Sequence, residues 1–170
     1  MLKRSISLLL VLVMAVSMSA CSGGVVSYRN ELNGIIAEVE EINPKLEVTV
    51  SDIMNALNNG DADAYKEALD ELEVLGAQLI AKYHEIADVK APSEYENDQK
   101  MMQQYADVVE DTLEASMEMY RLMYDYTATG EMTEAMMDRI DELQNIVLDG
   151  SDATAKFDET LNRVMGYTED

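Results

Sequence analysis

The sequence predicts an all-α fold, an up-down-up-down four-helix bundle of long antiparallel helices, on two observations. Beyond the first two dozen residues apolar side chains recur at steps of three and four, the spacing that lines one face of a helix. Three short turn signals, Asn58-Asn59-Gly60, Lys90-Ala91-Pro92 and Thr127-Ala128-Thr129-Gly130, cut that pattern into four segments. No stretch alternates with the period of two that a half-buried strand needs. Long amphipathic segments joined by short turns pack side by side as bundles. A segment of about 35 residues is a rod roughly 50 Å long at 1.5 Å per residue.

The first segment carries Tyr28, Leu32, Ile35, Val39, Ile42 and Leu46 on one stripe. Pro44 interrupts it, and the large apolar residues that follow, Leu46, Val50, Ile53 and Leu57, lie one position out of phase. Proline lacks the N–H of a helical residue and crowds the preceding turn, so the expectation is a kink, or a break with Asn43 capping a new helix. Gly60 supplies a left-handed terminus. Asp61 is placed to cap the second helix, whose stripe is Tyr65, Ala68, Leu72, Leu75, Leu79, Tyr83 and Ile86. Ser93 and Glu96 have the spacing of a capping box opening the third. Its inward face is predicted to run through Met102, Tyr105, Val109, Ser116, Tyr120 and Met123. The last helix shows Met136, Ile140, Leu143, Val147, Thr154, Phe157, Leu161 and Val164, with Gly150 in a core position that marks a close helix approach or a local break.

The N-terminus is of another kind. Lys3 and Arg4 precede the apolar run Ile6 to Val16, and Ser17-Met18-Ser19-Ala20 leads to Cys21, the single cysteine. A basic start, a short apolar centre and a small-residue exit are the parts of a secretory signal. The centre is shorter than the roughly 20 residues that span a bilayer. Met18-Ser19-Ala20-Cys21 resembles the lipobox of bacterial lipoproteins, with Met18 where Leu is usual. The resemblance covers residues 1–24 and implies cleavage between Ala20 and Cys21 with lipid on Cys21. The expected layout is a signal at 1–20, a lipidated tether at 21–25 and a helical domain at 26–168. An uncleaved anchor would put the domain on the same, extracytoplasmic side. The expected location is therefore the outer face of the cell membrane, or an outer membrane where one exists.

Without the signal, ten Lys and Arg face 34 Asp and Glu, a net charge near −24. Nucleic acid, whose binding needs phosphates neutralised by basic residues, is not an expected partner. Neither is a face lying flat on anionic lipid. A lone cysteine offers no intrachain disulfide.

Catalytic sets fail on counting. A di-iron bundle needs a Glu-x-x-His on each of two helices, and His84, the one histidine, has Ala81 three residues before it. A zinc site of several His or Cys fails likewise. His84 reads instead as a partly solvated residue favoured by the helix dipole. No cofactor motif, phosphate loop or calcium loop is present, and the chain is expected not to be an enzyme.

One compositional oddity remains. Eight of the ten Met after the signal lie between 101 and 137, astride the third turn, with Tyr120, Tyr124 and Tyr126 nearby. Met117, Met119, Met123, Met132 and Met136, with Tyr120 and Tyr124, are candidate ligand-binding residues, because thioethers suit Cu(I) and adaptable apolar contacts. The competing reading is that they fill a core. The leading expectation is a membrane-anchored, non-enzymatic helical bundle acting on an envelope protein partner. The alternative is a small-ligand or copper-type binder using the Met/Tyr end.

Overall fold

The computed structural model describes residues 23–167, so the signal, the cleavage site at Ala20 and the lipidation site Cys21 lie outside the described residues. Within them the chain is four helices without a strand: α1 Gly23–Asn59, α2 Ala62–Asp88, α3 Glu96–Thr129 and α4 Glu134–Met165, with a short 3-10 turn at Ser93–Tyr95 before α3. Close packing follows chain order, α1 on α2, α2 on α3 and α3 on α4. The all-α four-helix fold is thus as the hydrophobic spacing predicts. At 37 residues, α1 is about 55 Å long.

The helix ends follow local chemistry. The Asp61 side chain accepts from the Ala64 N–H at 3.0 Å and caps α2, and the Thr133 hydroxyl accepts from the Met136 N–H at 3.2 Å and caps α4. Gly60, with φ +66°, ends α1. There the Gly60 N–H donates to the Leu57 carbonyl, and the Asp61 N–H reaches back to the Ala56 carbonyl. This paired closure returns at Gly166, whose N–H donates to the Arg163 carbonyl while the Tyr167 N–H donates to the Asn162 carbonyl, and it satisfies carbonyls that a helix end leaves without partners.

Several boundaries depart from the sequence reading. Helix α1 begins at Gly23, so Gly23, Gly24 and Val25, expected in the tether, form its first turn. Their N–H groups would lack helical acceptors in any case, so little hydrogen bonding is at stake there. At the start of α3, neither Ser93 nor Glu96 makes a capping box. The 3-10 turn is closed by the Tyr95 N–H on the Pro92 carbonyl at 2.8 Å, and no side chain caps it. Gln99 does the work instead, donating from Nε2 to the Val89 carbonyl at 2.8 Å and so tying α3 to the end of α2.

Of the two outcomes expected at Pro44, a kink or a break, the break does not occur. Pro44 lies inside one continuous helix, with no cap at Asn43. The buried stripe of α1 is Tyr28, Leu32, Ile35, Val39, Ile42, then Thr49, Ile53 and Ala56, with Leu46 half-buried between. The steps of four and three pass through the proline in phase. Val50 and Leu57, which produced the apparent shift, are larger but only half-buried. The seam is held by smaller residues, and Thr49 is 2% exposed. The second ambiguity resolves as close approach. Helix α4 runs unbroken through Gly150, where a Cβ would lie 1.7 Å from Thr112 Oγ1 and 2.9 Å from Thr112 Cβ.

The core forms two clusters. One joins Tyr28 to Ile42 of α1 with Leu75 to Ile86 of α2, Met102, Ala106 and Val109 of α3, and Phe157 and Val164 of α4. The other, beside the first turn, draws on Ile53 and Ala56 of α1 and Tyr65, Ala68, Leu69 and Leu72 of α2. Arg29 closes the first end. Its Nε donates to the Val164 carbonyl at 2.7 Å and its Nη2 to the Tyr95 hydroxyl at 2.9 Å, tying α1 to the C-terminus of α4. A cation is well placed against those terminal carbonyls.

Candidate functional site

The Met/Tyr residues come from α3 and α4 around the third turn, which Gly130 closes with φ +72° and its N–H on the Tyr126 carbonyl at 2.8 Å. Met117 is buried, and its sulfur sits over Gly76 of α2, 2.6 Å from where a Cβ would be. Gly76 is what admits the thioether. Tyr120, Met123 and Tyr124 pack against the second core cluster. The Tyr65 hydroxyl donates to the Tyr120 carbonyl at 2.9 Å, and the Tyr65 and Tyr124 rings lie 5.8 Å apart. Burial pushes the Tyr65 and Tyr120 hydroxyls up from the usual phenol range, so both stay protonated. Met119, Met132 and Met136 are half-buried. Four of the seven candidates, Met117, Met123, Tyr120 and Tyr124, therefore have packing partners that account for their type and position.

Inside the bundle the stripes of α3 and α4 sit slightly off the expected line. Ala106 and Ala115 are buried on α3, where Tyr105 and Ser116 are half-buried. Ala153 and Thr160 are buried on α4, where Val147, Thr154 and Leu161 are half-buried. At Ala106, Ala115, Ala153 and Thr160 the smaller of two neighbours is the buried one, while Met102, Val109, Leu143, Phe157 and Val164 are buried as expected. Ile146 and Leu148 of α4 stay 40% and 69% exposed, among Asp141, Glu142, Asp149 and Asp152. Two surface clefts lie elsewhere, between α1 and α2. One is lined by Glu31, Ile35, Glu85, Asp88 and Val89, the other by Glu38, Lys45, Gln78 and Lys82 among others. Both are shallow and charged at their rims.

A different constellation appears on the α2–α3 seam. His84 of α2 and Asp107 and Glu110 of α3 bring one ligand-type atom each to within 4.8 Å of one another. His84 Nε2 lies 2.7 Å from Glu110 Oε2. His84 is half-buried, in keeping with the partly solvated histidine expected, but it is not alone. Its partners lie 23 and 26 residues on, and only the antiparallel return of α3 against α2 brings them level. The legible half of the signal was the i, i+3 spacing of Asp107 and Glu110, which puts two carboxylates side by side on one helix.

Elsewhere the ionic contacts follow the surplus of acid. Arg139 of α4 grips Glu118 of α3 with two hydrogen bonds, at 2.7 and 2.8 Å, and reaches Glu142 at 2.9 Å. The Arg139 hydrogen bonds hold the Glu118 carboxyl below the usual carboxylate range. Lys82 pairs with Glu38 and Glu85, Arg121 with Glu73, and Arg163 with Asp98. Among the described residues no helix is long and apolar enough to cross a membrane. No family model, no curated protein and no solved structure matches the chain.

Proposed function

We propose that this chain is a lipid-anchored, extracytoplasmic helical rod that acts without catalysis, by contact with another protein of the cell envelope. The single observation that carries the reading is Leu148, which stands 69% exposed on α4 with the exposed acids Asp141 and Asp152 on the same side of the helix. A large apolar side chain held in water and rimmed by acids is a point of attachment for a partner that covers it. The lipobox-like Met18-Ser19-Ala20-Cys21 supplies the anchor in this reading. At least two acyl chains, as the lipoprotein modification provides, give stable attachment where one gives only marginal binding. The strongly acidic body favours a partner with a basic surface, because complementary charge speeds encounter.

The test is crosslinking in intact cells with a photoreactive residue at position 148, followed by mass spectrometry. The expected result is one reproducible envelope protein, lost when Ile146→Asp and Leu148→Asp are combined and lost when Cys21→Ser releases the chain from the membrane. Capture that is unchanged in the double variant would overturn the α4 surface. Unchanged membrane association of the Cys21→Ser chain would overturn the lipid anchor.

A further inference from the structure

His84, Asp107 and Glu110 are brought together by the core beside them. Tyr83 on α2 and Ala106 and Val109 on α3 are buried in the first cluster. Each residue of the trio is the immediate chain neighbour of one of these, so each stands at the rim of the α2–α3 seam. Asp107 and Glu110 are one helical turn apart and project together. His84 and Glu110 are half-exposed, with side-chain exposures of 35% and 40%. Water therefore reaches the cluster, while the helices that carry it are fixed by the packing beneath.

One feature separates this trio from the rest of an acidic surface, and it is the donor set. Like most acids among the described residues, neither Asp107 nor Glu110 has a Lys or Arg partner within ion-pair distance. The two carboxylates bring a charge of −2 that only the imidazole faces. The trio mixes an imidazole nitrogen with carboxylate oxygens, the donor set that suits zinc and related first-row cations better than calcium or magnesium, which prefer oxygen alone.

We infer that His84, Asp107 and Glu110 form a surface site for a divalent first-row cation of the Zn2+ class, clamping α2 to α3. Ligand atoms on tetrahedral Zn2+ bonds of roughly 2.0–2.2 Å lie about 3.4 Å apart, so a 4.8 Å grouping closes by side-chain rotation of about an ångström. The cation neutralises both carboxylates, and water completes the fourth position from the exposed side. His84 binds through the Nε2 lone pair with its ring proton on Nδ1, so the present Nε2 contact to Glu110 gives way to a shared cation. The acidic field of the whole chain raises the local concentration of cations and aids capture. The site is independent of the proposed α4 contact surface, which lies on another helix.

The experiment is a titration of Zn2+ into the full chain, free of any tag, in detergent and in a hundredfold excess of Mg2+, with a chromophoric chelator as competitor. The expected result is one saturable Zn2+ per chain, weakened at least tenfold by His84→Ala and by Glu110→Gln, and not by Glu47→Gln on α1. Thermal unfolding should move up with Zn2+ in the natural chain and stay put in His84→Ala. Because His84 is the only histidine, its ring signals in proton NMR give a readout without any variant. They should shift to a new position at one equivalent. Affinity unchanged in His84→Ala, or ring signals unmoved at one equivalent, would show only diffuse binding to surface acids and overturn the inference.

Discussion

Tyr28 and Tyr65 are both fully buried, but only one hydroxyl finds a partner. Tyr65 donates to the Tyr120 carbonyl. Tyr28 Oη is buried without a hydrogen-bonding partner among the described residues, and its pKa is pushed up to about 12, chiefly by burial. A buried polar group without a partner costs about 1–3 kcal/mol, while a satisfied one contributes about 1 kcal/mol. Tyr28→Phe is therefore expected to leave stability unchanged or raise it by about 1 kcal/mol, and Tyr65→Phe to lower it by about 1 kcal/mol. Urea denaturation of the two variants checks the pair, and equal losses would refute the distinction. Asp158 offers a second test at this scale. Burial pushes its carboxyl up to about 6, so between about pH 4 and pH 6 the folded chain holds a proton there that the unfolded chain has released. The folded pKa lies above the unfolded one, so the charged group opposes folding at neutral pH and ceases to do so as pH falls through about 6 toward 4. Asp158→Asn should raise the melting temperature at pH 7.5, with the gap to the natural chain narrowing at pH 4.5.

Among the elements, α1 and α4 each carry a residue that normally interrupts helices, and each is accommodated differently. Pro44 costs one backbone hydrogen bond, but heptad-spaced burial on both sides holds the face in register through it. Gly150 costs about 1 kcal/mol of helix propensity and returns a closer contact between α4 and Thr112 of α3. The Thr112 hydroxyl is already committed to the Val108 carbonyl at 2.7 Å, so it does not turn away freely. Gly150→Ala should destabilise by about 1–3 kcal/mol in spite of the better propensity of alanine. In a Thr112→Ala background the loss should shrink, because Oγ1 is gone, without vanishing, because Cβ remains. A thermal double-mutant cycle measures that coupling, and additive effects would place the clash elsewhere.

For the molecule as a whole, charge dominates. Ten basic residues face 34 acids, and the ion pairs that form are on the surface, where each contributes about 0–1 kcal/mol. Repulsion among the remaining carboxylates opposes the compact state, and salt screens it over about 10 Å at 0.1 M. Raising NaCl from about 10 mM to about 300 mM is expected to raise the melting temperature by several degrees. A fall would mean that the pairs around Arg139 and Arg163 outweigh the repulsion.

By itself the sequence determined the four helices, their turns and most core positions, because helical periodicity and the caps at Asp61, Gly60 and Gly130 are local properties of the chain. All seven stripe residues predicted for α2 are buried, as a helix packed on both α1 and α3 requires. Where a large apolar residue and a neighbouring threonine competed for the seam, as Val50 with Thr49 or Leu161 with Thr160, the apolar one was the wrong choice. Interhelical distance decides which fits, and size alone does not encode it. The same holds for the candidate sites. Much of the Met/Tyr group is committed to packing around Gly76 and Tyr65. His84, unremarkable in one dimension, meets Asp107 and Glu110 only because α3 returns antiparallel to α2. Local signals specify elements, whereas the meeting of side chains more than twenty residues apart depends on the register and spacing of packed helices, which only the tertiary structure decides.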